Sequence, residues 1–176
     1  MRQGLNDSND RGAMAAATVI RQALMPVDFE TARVLFLEYS QWLNIDLCFQ
    51  GFNQELATLP GAYAPPSGRL LLAETGAGVA AGCVALRPLS TDATATSCEL
   101  KRLWVRPQFR AMKVGHALTD AALSAARDIG FRSIKLDTLP AIMPQAVAMY
   151  RSFGFTECEP YYHNPIAGSL YMQCAL

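Results

Sequence analysis

A chain of 176 residues with 51% hydrophobic side chains suits one compact domain with its own core. Its 15 Lys and Arg are balanced by 15 Asp and Glu, which excludes the broad basic footprint of a nucleic-acid binder, so no nucleic-acid partner is expected. Five cysteines, odd in number and without a CxxC pair, argue against a disulfide framework and against a metal site, and place the chain in a reducing compartment, the cytoplasm.

Residues 1–13 are polar and are expected to be a disordered tail, or an extension upstream of a start at Met14; the single domain is expected over 14–176. They lack the apolar stretch of a secretory signal. No uncharged apolar run approaches the ~20 residues of a membrane span, so no membrane partner is expected. Residues 18–24 read as a strand ended by Pro26, with Asp28 as a helix cap. A helix follows over 29–47, with Val34, Leu37, Trp42 and Ile45 as its apolar face, and a short one over 53–59. Residues 60–68 hold three prolines and two glycines and read as a loop. A hairpin is expected from strands 69–75 and 80–86 about the turn 76–78, then a polar turn over 88–97 and a strand over 98–105.

Residues 114–130 form a helix with Val114, Leu118, Ala121, Ala125 and Ile129 as one stripe and Gly130 as its stop. A strand over 133–139, a helix over 143–153 closed by Gly154, and a strand over 169–176 complete the chain. The helix 114–130 makes its flanking strands parallel. The fold class is α/β: a mixed sheet with helices on both faces.

The segment most informative about chemistry joins strand 98–105 to helix 114–130. The start of that helix offers free amides and the positive end of its dipole, a ready seat for phosphate. Arg110 and Lys113 add local positive charge, and Gly115 lets the backbone approach a ligand with no Cβ between.

This segment, Arg110-Ala111-Met112-Lys113-Val114-Gly115, resembles the acyl-CoA-binding motif of the GNAT superfamily, Arg/Gln-x-x-Gly-x-Gly/Ala after a strand ending in Val-x-Pro. Lys113 stands where the motif has its first glycine. A second block, Ala146 to Phe155, is similar to the family pattern Ala-x-x-x-Tyr-x-x-x-Gly-Phe, although 137–144 lacks the Asn that the family often places there. The two blocks extend the resemblance over Glu99 to Phe155.

The resemblance implies a mostly antiparallel sheet whose central parallel pair splays to receive CoA. It implies acetyl-CoA as co-substrate, held by Leu103, Trp104, Val105, Arg110, Ala111, Met112, Lys113, Val114, Gly115 and His116. It implies an N-acetyltransferase that moves an acetyl group to the primary amine of a small molecule, amino acid or peptide. A catalytically silent CoA-binding sensor or scaffold is the alternative.

Within that reading, Tyr150 is the general acid, and backbone N–H groups of Leu103 to Val105 face the developing oxyanion. Glu99 is a candidate base, expected by alternation to share a strand face with Lys101, Leu103 and Val105, and equally readable as a strand residue paired with a cation. His163 is a second candidate base. Tyr161 and Tyr162, with His163, are expected at the acceptor pocket, with Trp42, Phe49 and Phe52 as its far wall. The terminal strand 169–176 is expected to present an edge through which a homodimer could form. No cysteine has an activating neighbour in sequence, so direct transfer is expected rather than a covalent enzyme intermediate.

Overall fold

The computed structural model describes residues 18–90 and 96–176. The tail expected over 1–13 and the middle of the turn expected over 88–97 lie outside them. The chain order is β1 (Val19–Gln22), α1 (Pro26–Leu43), α2 (Phe52–Ala57), β2 (Arg69–Glu74), β3 (Ala80–Pro88), β4 (Ser97–Val105), α3 (Val114–Ile129), β5 (Ser133–Thr138), α4 (Pro144–Ser152), β6 (Thr156–Glu157) and β7 (Leu170–Ala175). The strands form one seven-stranded sheet in the order β1-β2-β3-β4-β5-β7-β6. Every neighbouring pair is antiparallel except β4 and β5, the pair joined by the α3 crossover.

Alternation along the strands makes two cores. Leu71, Leu100, Ile134, Leu136 and Met172 pack under α3 and α4. Leu70, Leu72, Cys83, Ala85 and Trp104 pack under α1 and α2 on the opposite face. Among the described residues no helix is long and apolar enough to cross a membrane.

Several expectations are corrected at this level. The buried face of α1 is Ala32, Leu35, Phe36 and Leu43, whereas Val34, Leu37 and Trp42 are exposed. Both sets recur at helical spacing, and sheet contact rather than period selects between them. The helix begins at Pro26, so Asp28 sits within its first turn; its Oδ2 accepts the amides of Leu24 and Met25 at 2.9 Å each and caps the helix from inside. In α3 the most buried line is Leu118, Ala122 and Ala126, rotated from the expected stripe. Strand β7 is not the free edge: it lies between β5 and the two-residue β6.

Two irregularities position the site. Strands β4 and β5 pair only through Ser97–Ser133, Cys98–Ile134 and Glu99–Lys135, and part beyond that point. Opposite them, β4 carries a bulge against β3: Ala85 faces Lys101 and Cys83 faces Trp104, so β4 spends two residues where β3 spends one. Arg102 takes up the extra residue with φ +56°. The bulge inverts the alternation, so Glu99 and Lys101 lie on the face of Trp104, while Leu103 and Val105 join the opposite core; this overturns the expected common face.

Candidate active site

The gap between β4 and β5 opens into a cleft of about 520 Å³. Leu103, Trp104 and Val105 supply its β4 wall, Gly115 the start of α3, Ala146 and Met149 the face of α4, and Tyr39 and Trp42 the side of α1. At its foot lies a smaller cavity of about 50 Å³ that shares Tyr39, Leu103 and Met143 with the cleft. The smaller cavity also reaches Lys101, Asp137 and Tyr150.

The end of the cleft where phosphate is expected is built by β4 running into a 3-10 turn, Pro107–Met112, and then into α3. Lys113 joins turn to helix with φ +57°. This is the left-handed region that glycine enters freely and other residues enter at a cost of about 1–2 kcal/mol. The lysine therefore keeps the turn a glycine would make. The first amides of α3 have no intrahelical acceptor. At Gly115 an added Cβ would meet Val105 Cγ2 at 3.6 Å and Met149 Sδ at 3.8 Å, ordinary contacts. Packing therefore does not demand this glycine, whose missing side chain leaves room in the cleft.

Arg110 is ordered by aromatic contact. Its guanidinium carbon lies 4.9 Å from the ring centres of both Trp42 and Trp104, and its Nε donates to the Val105 carbonyl at 3.1 Å. Trp104 is held in turn by Glu38, which accepts its indole N–H at 3.2 Å and pairs with Arg106 at 2.7 Å. His116 is exposed and stacks on Phe153 at 4.3 Å, and Ala111 is exposed. Met112 and Val114 pack into the core beneath α3, so their side chains support the loop.

Tyr150 is buried, and its hydroxyl makes no hydrogen bond among the described residues, while the residue lines the small cavity. Burial, with smaller contributions from Tyr39 and Asp137, holds its pKa far above that of an ordinary phenol. Tyr39 is likewise pushed up to about 12 by burial. Sequence reasoning missed Tyr39, Lys101 and Asp137 as site residues. Tyr39 is hidden in an unremarkable helical period; the two charges become neighbours of the site only because β4 and β5 part beside them.

Glu99 is 1% exposed and lines neither cavity. Arg87 donates Nε and Nη2 to its Oε2 at 2.9 and 2.8 Å, Tyr161 donates to Oε1 at 3.0 Å, and the Lys101 ammonium stands 3.7 Å from Oε1. Tyr161, Tyr162 and Tyr171 form an aromatic cluster with ring centres 5.3 to 5.6 Å apart. The Tyr162 hydroxyl accepts from Gln50 at 3.2 Å and from Asn164 at 3.1 Å. Tyr161 and Tyr162 thus buttress the loop beside the cavity, whose lining from that loop is Asn164 and Ile166. His163 is exposed and lines neither space. Trp42 lines the large cleft, whereas Phe52 is in the core against the Arg102 guanidinium.

Comparison with known proteins gives the family and the fold. Residues 29–155 match the model of the acetyltransferase (GNAT) family. An uncharacterized N-acetyltransferase of Schizosaccharomyces pombe is 42% identical over 149 residues, covering 85% of this chain and 89% of that protein. A GNAT-family acetyltransferase structure from Staphylococcus aureus superposes with a TM-score of 0.72 at 19% identity, over 90% of this chain and 99% of the other. An acetyltransferase from Salmonella typhimurium, solved with acetyl-CoA, superposes with a TM-score of 0.68 at 16% identity, over 91% of this chain and 94% of the other.

Proposed function

The chain belongs to the acetyltransferase (GNAT) family, and on that premise we propose that it transfers acetyl from acetyl-CoA directly to a primary amine in the gap between β4 and β5. The observation that carries this reading is Tyr150, a buried residue whose hydroxyl has no hydrogen-bond partner among the described residues and which lines the cavity at the foot of a cleft that begins at the α3 amides.

Acetyl-CoA would supply the activated thioester. The α3 amides, Lys113 and Arg110 would hold its phosphates, and Gly115 and Val105 the arm that follows. The amide edge of Leu103 to Val105 is free of β5 and is suited to the carbonyl oxygen as charge builds on it. The amine nitrogen forms its bond to the carbonyl carbon as the carbon–sulfur bond breaks. The nitrogen loses one proton and the sulfur gains one. Tyr150, held protonated by its burial, donates to the leaving sulfur. The same dry surroundings raise the thiol's own pKa, so donor and acceptor move in the same sense.

Asp137 is the carboxylate on the small cavity and is the better-placed group to receive the ammonium proton. Glu99 acts as the anchor that fixes Tyr161 and Lys101. Neither space is lined by a cysteine among the described residues, which favours direct attack. The left-handed backbone at Lys113 supports cofactor binding, and Tyr150 on the cavity favours turnover over a silent sensor. The five unpaired cysteines support a reducing compartment, and we take the cytoplasm as the site of action.

The test is thermal unfolding with and without acetyl-CoA, followed by thiol release on an amine panel. Acetyl-CoA at a hundred times its dissociation constant should stabilise the native chain by about 2.7 kcal/mol. Neither a shift nor release at millimolar acetyl-CoA removes the proposal.

A further inference from the structure

The small cavity is lined by one side chain of each charge that the catalytic reading does not require as a pair. Lys101 on β4 and Asp137 on β5 each lie two residues beyond the last paired rung, Glu99–Lys135, on the same face. They therefore flank the point where the strands separate. Among the described residues they form no ion pair with each other, although both line the one cavity of about 50 Å³.

Each is only partly satisfied. The Lys101 side chain is 5% exposed; its ammonium donates to Gln50 Oε1 at 3.2 Å and stands 3.7 Å from Glu99 Oε1, and Arg87 already neutralises that carboxylate. Desolvation lowers the Lys101 pKa, so an anion entering the cavity would stabilise its charged form. Asp137 accepts from Asn164 Nδ2 at 3.2 Å and is hydrogen-bonded by the Tyr162 hydroxyl. A cation and an anion held apart across a small space suit a ligand that carries both charges close together.

We infer that the acceptor is a free amino acid, with its carboxylate on the Lys101 ammonium and its amine between Asp137 and Tyr150. This rests on the acetyltransferase reading above and narrows its acceptor. A peptide N-terminus or a polyamine has no carboxylate beside its amine and leaves Lys101 unanswered. The cavity's small volume restricts it to the amine and carboxylate of the acceptor. The amino-acid side chain would extend toward the larger cleft.

The experiment is acetyl-CoA-dependent thiol release by the full chain on matched triplets: each amino acid, its amide, and the amine made by decarboxylating it. Alanine, alaninamide and ethylamine form one triplet; leucine, leucinamide and isopentylamine another. The amide amine is the least basic of the three, so simple availability of neutral amine favours it. The inference predicts a kcat/KM for at least one amino acid about tenfold or more above both partners. It predicts that Lys101→Gln collapses that ratio to about one, chiefly through KM. The wild-type panel decides the matter even if this variant does not fold. A protein that binds acetyl-CoA but acetylates amides or simple amines as well as amino acids, or acetylates no amino acid, overturns the inference and leaves the cofactor reading intact. A protein that does not bind acetyl-CoA overturns both.

Discussion

The guanidinium carbon of Arg110 lies 4.9 Å from the ring centre of Trp42. Trp104, the only other tryptophan of the chain, stands at the same distance on the same guanidinium. Both indoles line the cleft proposed for acetyl-CoA, so occupancy must be visible in their emission. Titration with acetyl-CoA is expected to change tryptophan fluorescence saturably. Arg110→Ala should weaken binding about tenfold or more, the loss of a charge-assisted phosphate contact. A saturable signal of unchanged affinity in that variant would remove Arg110 from the site.

Lys113 tests how a residue with a Cβ can occupy a glycine-like turn. Its φ of +57° makes the position tolerant of glycine and intolerant of β-branched side chains. Lys113→Gly should hold or raise stability by up to about 1 kcal/mol, strain relief being partly offset by the greater freedom of glycine in the unfolded chain. Lys113→Val should lose about 1–2 kcal/mol. Urea unfolding midpoints of the two variants decide this, and a Val variant as stable as wild type would contradict the geometry.

The bulge that aims β4 is held by a buried ion pair. Arg102 donates Nε and Nη2 to the two Glu55 oxygens at 2.9 and 2.7 Å, and its side chain is 3% exposed. Glu55→Gln leaves a buried guanidinium without its counter-charge and should destabilise by about 3–5 kcal/mol, read by urea unfolding. A loss under about 1 kcal/mol would mean that the bulge stands without this pair.

Asp28 gives the fold an acid limb. The Arg21 guanidinium first, then the Met25 and Leu24 amides, hold its carboxyl well below the usual carboxylate range against the opposing effect of burial. A depressed pKa contributes stability that is present above the unfolded value of about 3.9 and is lost as pH falls toward the folded value. Wild-type stability should therefore drop on acidification below about pH 4 more steeply than that of Asp28→Asn. Parallel curves from chemical unfolding at stepped pH would contradict the assignment.

Much of this was legible in the sequence. The α3 crossover forces one parallel pair, and the two motif blocks fixed where the loop and Tyr150 lie. What escaped depends on a bulge, on packing and on where pairing ends. The bulge at Arg102 reverses the alternation that strand reading relies on, so Glu99 parts company with Leu103 and Val105. Periodicity in α1 offered two apolar stripes, and contact with β2 and β3 decided for Leu35 and Phe36 over Val34 and Leu37. Asp137 and Lys101 carry no motif, and their nearness to the site follows from where two strands stop pairing.

The central claim is that Tyr150 serves acetyl transfer in this cleft, and thiol release by Tyr150→Phe tests it most directly. The variant keeps the ring that packs 5.5 Å from Phe155 and removes only the hydroxyl. The account predicts a fall in kcat of about a hundredfold or more, with the fluorescence-measured affinity for acetyl-CoA retained. Full turnover by a folded Tyr150→Phe would contradict it.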